Sequence, residues 1–106
     1  MPGVDLNYFM RQASKLTEKI EQRKKALAEE TVEGQAGDGR VVVVVNGLQE
    51  VRSIKLAKEV VDASDVGLLE DLVTAAVNAA LAASRSHMQM ELAKISGGVN
   101  LAGLMP

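Results

Sequence analysis

The most constraining stretch of this chain is Arg40 to Val45, a charge followed by five consecutive valines. Branching at Cβ restricts valine's χ1 and crowds a helix, whereas a pleated strand accommodates it. A run that does not alternate with polar residues reads as a strand covered on both faces. It ends at Asn46-Gly47, a hairpin signal because both residue types tolerate positive φ. Leu48 to Leu56 then alternates, with Val51, Ile54 and Leu56 set against Glu50, Arg52 and Lys55. The alternation slips near Ser53-Ile54, which suggests a bulge or local twist. Ahead of the valines come Thr31-Val32-Glu33-Gly34 and Gln35-Ala36-Gly37-Asp38-Gly39. Three glycines in these last six positions read as a flexible hairpin loop. Together these segments predict three antiparallel strands in a meander.

Helical patterns flank the meander. From Asp5 to about Glu30, Phe9, Ala13, Leu16, Ile20 and Leu27 form one narrow stripe at heptad spacing, with Asp5 as N-cap. Arg23 and Lys24 interrupt it between Ile20 and Leu27. The expectation is therefore a helix that packs through its N-terminal half and projects into water beyond it. Asp62 to Gly67 is a polar connector. From Leu68 to Ile95 the pattern is helical again, with Leu69, Leu72, Val73, Ala76, Val77 and Ala80 on a broad apolar face. Alanines between Ala75 and Ala83 permit close approach of another backbone element. Asp65, Glu70 and Asp71 lie at or near its N-terminal turn, where acids complement the helix dipole. Ser84 to Ser86 marks a point where the helix could kink or split, and Ser96-Gly97-Gly98 ends it. Residues 1–4 and the tail 97–106 are expected to be flexible.

Composition narrows the function. The 106 residues amount to one domain, expected to span 1–106. With no Cys, a disulfide framework, a thiolate zinc site and a Cys nucleophile are excluded. One Tyr, one Phe and no Trp leave no stacking platform for unpaired bases. The N-terminus lacks the pattern of a signal peptide, and no stretch is expected to approach the roughly 18 apolar residues needed to span a bilayer. His87 is the sole histidine and has no Cys or carboxylate pair nearby in the sequence. Glu70 and Asp71 are adjacent, so a helix points them apart. Ser84 and Ser86 lack an activating base. The glycines of Gly34 to Gly39 lack the Lys-Ser/Thr of a phosphate loop. No enzyme, metal, cofactor or small-molecule site is expected. A core so poor in aromatics in so short a chain favours oligomerisation.

The net charge of −2 conceals two opposed segments. Between Met10 and Ala28, the six bases Arg11, Lys15, Lys19, Arg23, Lys24 and Lys25 face only Glu18 and Glu21, a local charge of about +4. Lys58 to Ala83 carries Glu59, Asp62, Asp65, Glu70 and Asp71 against one base, about −4. Arg11, Lys15, Lys19 and Arg23 recur every four residues and form one slowly drifting row on a helix. Such a row is often just a solvated helix face. It is also what phosphate neutralisation along a duplex requires. Arg85, His87 and Lys94 offer a sparser second set.

Four stretches carry a family resemblance: NYFMRQASK at Asn7 to Lys15, GRVVVVVNG at Gly39 to Gly47, LEDLVTAAVNAA at Leu69 to Ala80, and the tail GGVNLAG. Together, over nearly the whole chain, they resemble the YbaB/EbfC family of bacterial nucleoid-associated DNA-binding proteins. The most specific piece is Leu69-Glu70-Asp71-Leu72-Val73 with Ala75, Ala76, Asn78 and Ala80. Next is Gly39, Val41, Val43, Asn46 and Gly47. The family commonly reads Leu-Met-Lys-Gln-Ala-Gln where this chain has Phe9-Met10-Arg11-Gln12-Ala13-Ser14, and often an acid where Ala79 follows Asn78.

The resemblance implies an α+β fold: a long N-terminal helix, a three-stranded antiparallel meander and a long C-terminal helix, in a tweezer-like homodimer joined through its sheets. It also implies a cytoplasmic, nucleoid-associated protein that binds duplex DNA. Its roles would lie in nucleoid organisation and, for some members, in gene regulation or recombinational repair. The DNA contacts would fall on Arg11, Lys15, Lys19, Arg23, Lys24 and Lys25. The competing reading is a protein-interaction scaffold whose basic arms bind an acidic protein partner.

Overall fold

The computed structural model describes residues 5–96, and the two terminal segments expected to be flexible lie outside them. The order is α1 (Leu6–Leu27), β1 (Thr31–Ala36), β2 (Val41–Asn46), β3 (Val51–Leu56), a short 3-10 helix (Lys58–Val60) and α2 (Val66–Ser96). The strands form one antiparallel sheet in the order β1-β2-β3. The expected α+β arrangement of helix, meander and helix is therefore the one observed.

The local reasons largely match the sequence. Asp5 caps α1 by accepting a 3.1 Å bond from the Tyr8 amide, and Asp65 accepts one of 3.2 Å from Leu68 in the first turn of α2. The valine run is β2, with Val41, Val43 and Val45 wholly buried. Its other face differs from expectation. Val42 and Val44 are only half-buried, beside Gln35, Glu33, Lys55 and Ser53 of the neighbouring strands. One chain covers one face of its sheet. The bulge falls one residue earlier than the alternation suggested: Val44 pairs with Ser53 and Val45 with Val51, leaving Arg52 as the extra residue.

The glycines are used differently from their reading as loop residues. Gly34 is in the middle of β1, paired with Val43. A Cβ there would collide with the Ala80 amide nitrogen and lie 2.6 Å from the Ala76 carbonyl oxygen. The alanines of α2 thus press directly on the strand backbone, which is what their density permits. The β1–β2 turn is tighter, with Gly37, Asp38 and Gly39 all at positive φ. The Asn46-Gly47 expectation is corrected too, because the β2–β3 connection is longer than two residues and its left-handed residue is Gln49, at φ 62°. Gly47 instead meets α1, where a Cβ would lie 2.7 Å from the Leu27 carbonyl oxygen.

The second helix runs unbroken through Ser84 to Ser86. Ser84 is wholly buried, and its hydroxyl donates a 2.6 Å bond to the Asn46 carbonyl. The expectation that no stretch approaches a membrane span is corrected, because α2 is long and apolar enough to cross a bilayer by length and composition alone. Here its Ala76, Ala80 and Ser84 stripe packs on the protein itself, with Ala76 and Ala80 joining Val41, Val43, Val45 and Val60 in the core.

Candidate nucleic-acid interface

Packing of α1 is the reverse of the expected direction. Leu27, at its C-terminal end, is wholly buried, and Leu16 and Ile20 are half-buried. Residues 5–15 are exposed, Phe9 at 58%. Among the described residues the free end is therefore the N-terminal one, and the described chain measures 75 × 26 × 16 Å.

Two clusters hold the base of this arm. One centres on Asn46, which is buried and bonded through every polar atom of its side chain. Its amide nitrogen donates to the Ala28 carbonyl at 3.1 Å and to Glu50 Oε1 at 2.7 Å. Its Oδ1 accepts from the amides of Leu48 and Glu50 at 3.0 and 2.9 Å. The Gly47 amide adds 2.9 Å bonds to the carbonyls of Leu27 and Glu30. The end of β2 thereby grips the end of α1, while Ser84 ties the same residue to α2.

The second cluster is ionic and links α1 to the far half of α2. Arg23 donates to both Glu30 oxygens, at 2.6 and 3.1 Å, and lies 3.2 Å from Glu91. His87 Nε2 is 2.9 Å from Glu30 Oε1, and Lys94 is 3.2 Å from Glu91. The Arg23 hydrogen bond, followed by the His87 contact, holds the Glu30 carboxyl below the usual range. Lys94, and then Arg23, do the same for Glu91. The guanidinium of Arg23 is raised in turn, chiefly by its hydrogen bond to Glu30.

The six bases therefore divide. Arg11, Lys15 and Lys19 are exposed along the projecting helix, and Lys24 and Lys25 are exposed in its last turn, where cations suit the helix dipole. Among the described residues none of these five is in an ion pair. Arg23 is half-buried and shared between two carboxylates. Of the sparser set, His87 and Lys94 are engaged at the arm's base and Arg85 is exposed. The roles of Asn46, Glu30 and Glu91 escaped sequence reasoning, because their partners lie far along the chain or in another element. Among the described residues no group of three or more His, Cys, Asp or Glu side chains is placed to hold a metal.

The model of the YbaB/EbfC DNA-binding family matches residues 1–99. A nucleoid-associated protein of Myxococcus xanthus is 72% identical over 104 residues, covering 98% of this chain and 99% of its own. Another from Caldanaerobacter subterraneus is 45% identical over 102 residues, covering 96% and 92%. An uncharacterized protein from Helicobacter pylori, solved by crystallography, superposes with a TM-score of 0.79 over 89% of this chain and 99% of its own. At 16% identity it shows that the fold is shared.

Proposed function

The chain belongs to the YbaB/EbfC DNA-binding family, a family of nucleoid-associated proteins, and from that premise we propose that it binds duplex DNA as a homodimer, chiefly through the phosphate backbone. The observation that carries this reading is the row Arg11, Lys15 and Lys19, exposed and, among the described residues, free of carboxylate partners on a helix anchored at its other end. Successive members are four residues apart, about 6 Å along the helix axis. Duplex phosphates recur every few ångströms, so one arm can neutralise several. Lys24 and Lys25 supplement the row at its base. Arg23, already neutralised by Glu30 and Glu91, braces the arm. Contacts of this kind position a protein on DNA without reading its sequence. They suit a role in nucleoid organisation, with gene regulation or recombinational repair as downstream effects.

The apolar surface left bare by a single chain supports the homodimer. The second helix packs against β1 and β2. On β3, Val51, Ile54 and Leu56 remain 41–46% exposed, and Val61, Val66 and Leu68 on the way into α2 are exposed as well. A second copy of the same sheet covers such a face and pairs two arms into a tweezer.

The test is a gel-shift titration of the full chain carrying Arg11→Glu, Lys15→Glu and Lys19→Glu together. Arg23 is left intact so that the arm stays braced. We expect at least roughly a tenfold loss of duplex affinity with the circular dichroism spectrum unchanged. Unchanged affinity in a folded variant contradicts the reading. Equal competition by heparin and by duplex DNA would favour a general polyanion or acidic-protein partner instead.

A further inference from the structure

The chain's only Tyr and only Phe stand side by side at the free end of α1. Tyr8 is 51% exposed and Phe9 58%, and their rings meet edge to face with centroids 6.0 Å apart. Leu6 and Met10 beside them are 68% and 61% exposed. A chain with two aromatics that spends neither on its core, and holds both on a projecting tip, has placed them for contact with something else.

We propose that this tip is an apolar wedge that enters the minor groove of duplex DNA and unstacks a base step; the proposal rests on the DNA-binding reading above. Three features favour that occupant. First, Tyr8 shares its helix face with Arg11 and Lys15, three and seven residues on, so the wedge continues the cation row. Phosphates held by that row bring the groove to the rings. Second, residues 5–10 carry no cation to hold them at a phosphate, and their one charge, the Asp5 carboxylate, is engaged by the Tyr8 amide. The tip is therefore suited to sugar and base edges. Third, Asp5 fixes the first turn of a continuous helix, so the rings are presented by a rigid element. Apolar side chains beside cations are the usual means by which minor-groove proteins kink a duplex by about 20–90°. The step entered would be a flexible pyrimidine–purine one, which gives the protein a preference for deformable sequence without base-specific hydrogen bonds.

Tyr8 makes the test direct, because with no Trp it is the only strong fluorophore. The full chain is titrated with end-labelled duplex while Tyr8 quenching by acrylamide and end-to-end energy transfer are followed together. The proposal expects Tyr8 to be accessible in the free protein and shielded on DNA, with the duplex bent. For the double variant Tyr8→Ser and Phe9→Ser it expects roughly tenfold weaker binding, loss of the bend and an unchanged salt slope. Wild-type protein that binds with its salt dependence but leaves Tyr8 accessible and the duplex straight overturns the wedge alone. Wild-type protein that does not bind duplex overturns both readings. Tyr8 already shielded in the free protein also overturns the wedge, and would mean that another part of this chain or a second copy covers the tip.

Discussion

At the scale of single residues, the structure turns on contacts whose partners lie far away in sequence. Gly34 is the clearest case. Its sequence context, three glycines in six positions, signals chain reversal, and the reversal does follow at Gly37 to Gly39. What no local pattern reveals is that α2 returns some forty residues later and lays Ala76 and Ala80 on the strand backbone. Gly34→Val is therefore expected to cost about 3 kcal/mol or more, read as a lowered urea midpoint. Gly67, in the first turn of α2, faces open space: a Cβ added there would meet nothing within 4 Å. Gly67→Ala should accordingly be neutral or stabilising by up to about 1 kcal/mol. Equal effects at the two sites would contradict the close approach. Asn46 teaches the same lesson. It reads as a turn residue, yet it is wholly buried and joins β2 to both helices.

At the scale of elements, the strands and both helices were legible because hydrophobic period and capping residues are local properties. The direction in which α1 projects was not. Arg23 falls where the heptad stripe needs an apolar residue, so the C-terminal half looks solvated. Its charge is instead answered by Glu30 beyond the helix and by Glu91 on α2. Once neutralised, Arg23 is compatible with packing, and the apolar N-terminal half is what remains free. The ion pairs also set a pH dependence. Glu30 and Glu91 are both held below the ordinary carboxylate value of 4.5. Their stabilising contribution is complete above that value and is lost as the pH falls through the lower values of the folded state. Thermal midpoints should therefore fall on acidification below about pH 4.5, and Arg23→Ala should fall less steeply than wild type over that range. Identical acid profiles would remove the ionic cluster from the account of how the arm is held.

At the scale of the whole molecule, the charge distribution matters more than its sum. A total of −2 describes neither the basic arm nor the acidic start of α2. The same holds for the apolar surface: β2 reads as covered on both faces, yet a single chain buries one face fully and leaves much of β3 bare. Ile54 and Leu56 pair with the buried Val43 and Val41, so the bare part of β3 extends the face that α2 covers on β2, and a second copy would complete that face. Ile54→Glu, at a position 45% exposed in the single chain, should halve the mass seen by light scattering from about twice 11.2 kDa while leaving the chain folded. It should also weaken DNA binding, since the two arms would no longer act together. A variant that stays dimeric would exclude this face as the interface.

The central claim is that paired arms hold duplex DNA by its phosphates. Its most direct test is the dependence of affinity on salt, measured on two duplexes of unrelated sequence. Six arm cations, Arg11, Lys15 and Lys19 from each copy, predict a slope of about −5 for log K against log salt concentration, closely similar on both duplexes. A slope near zero would contradict the account.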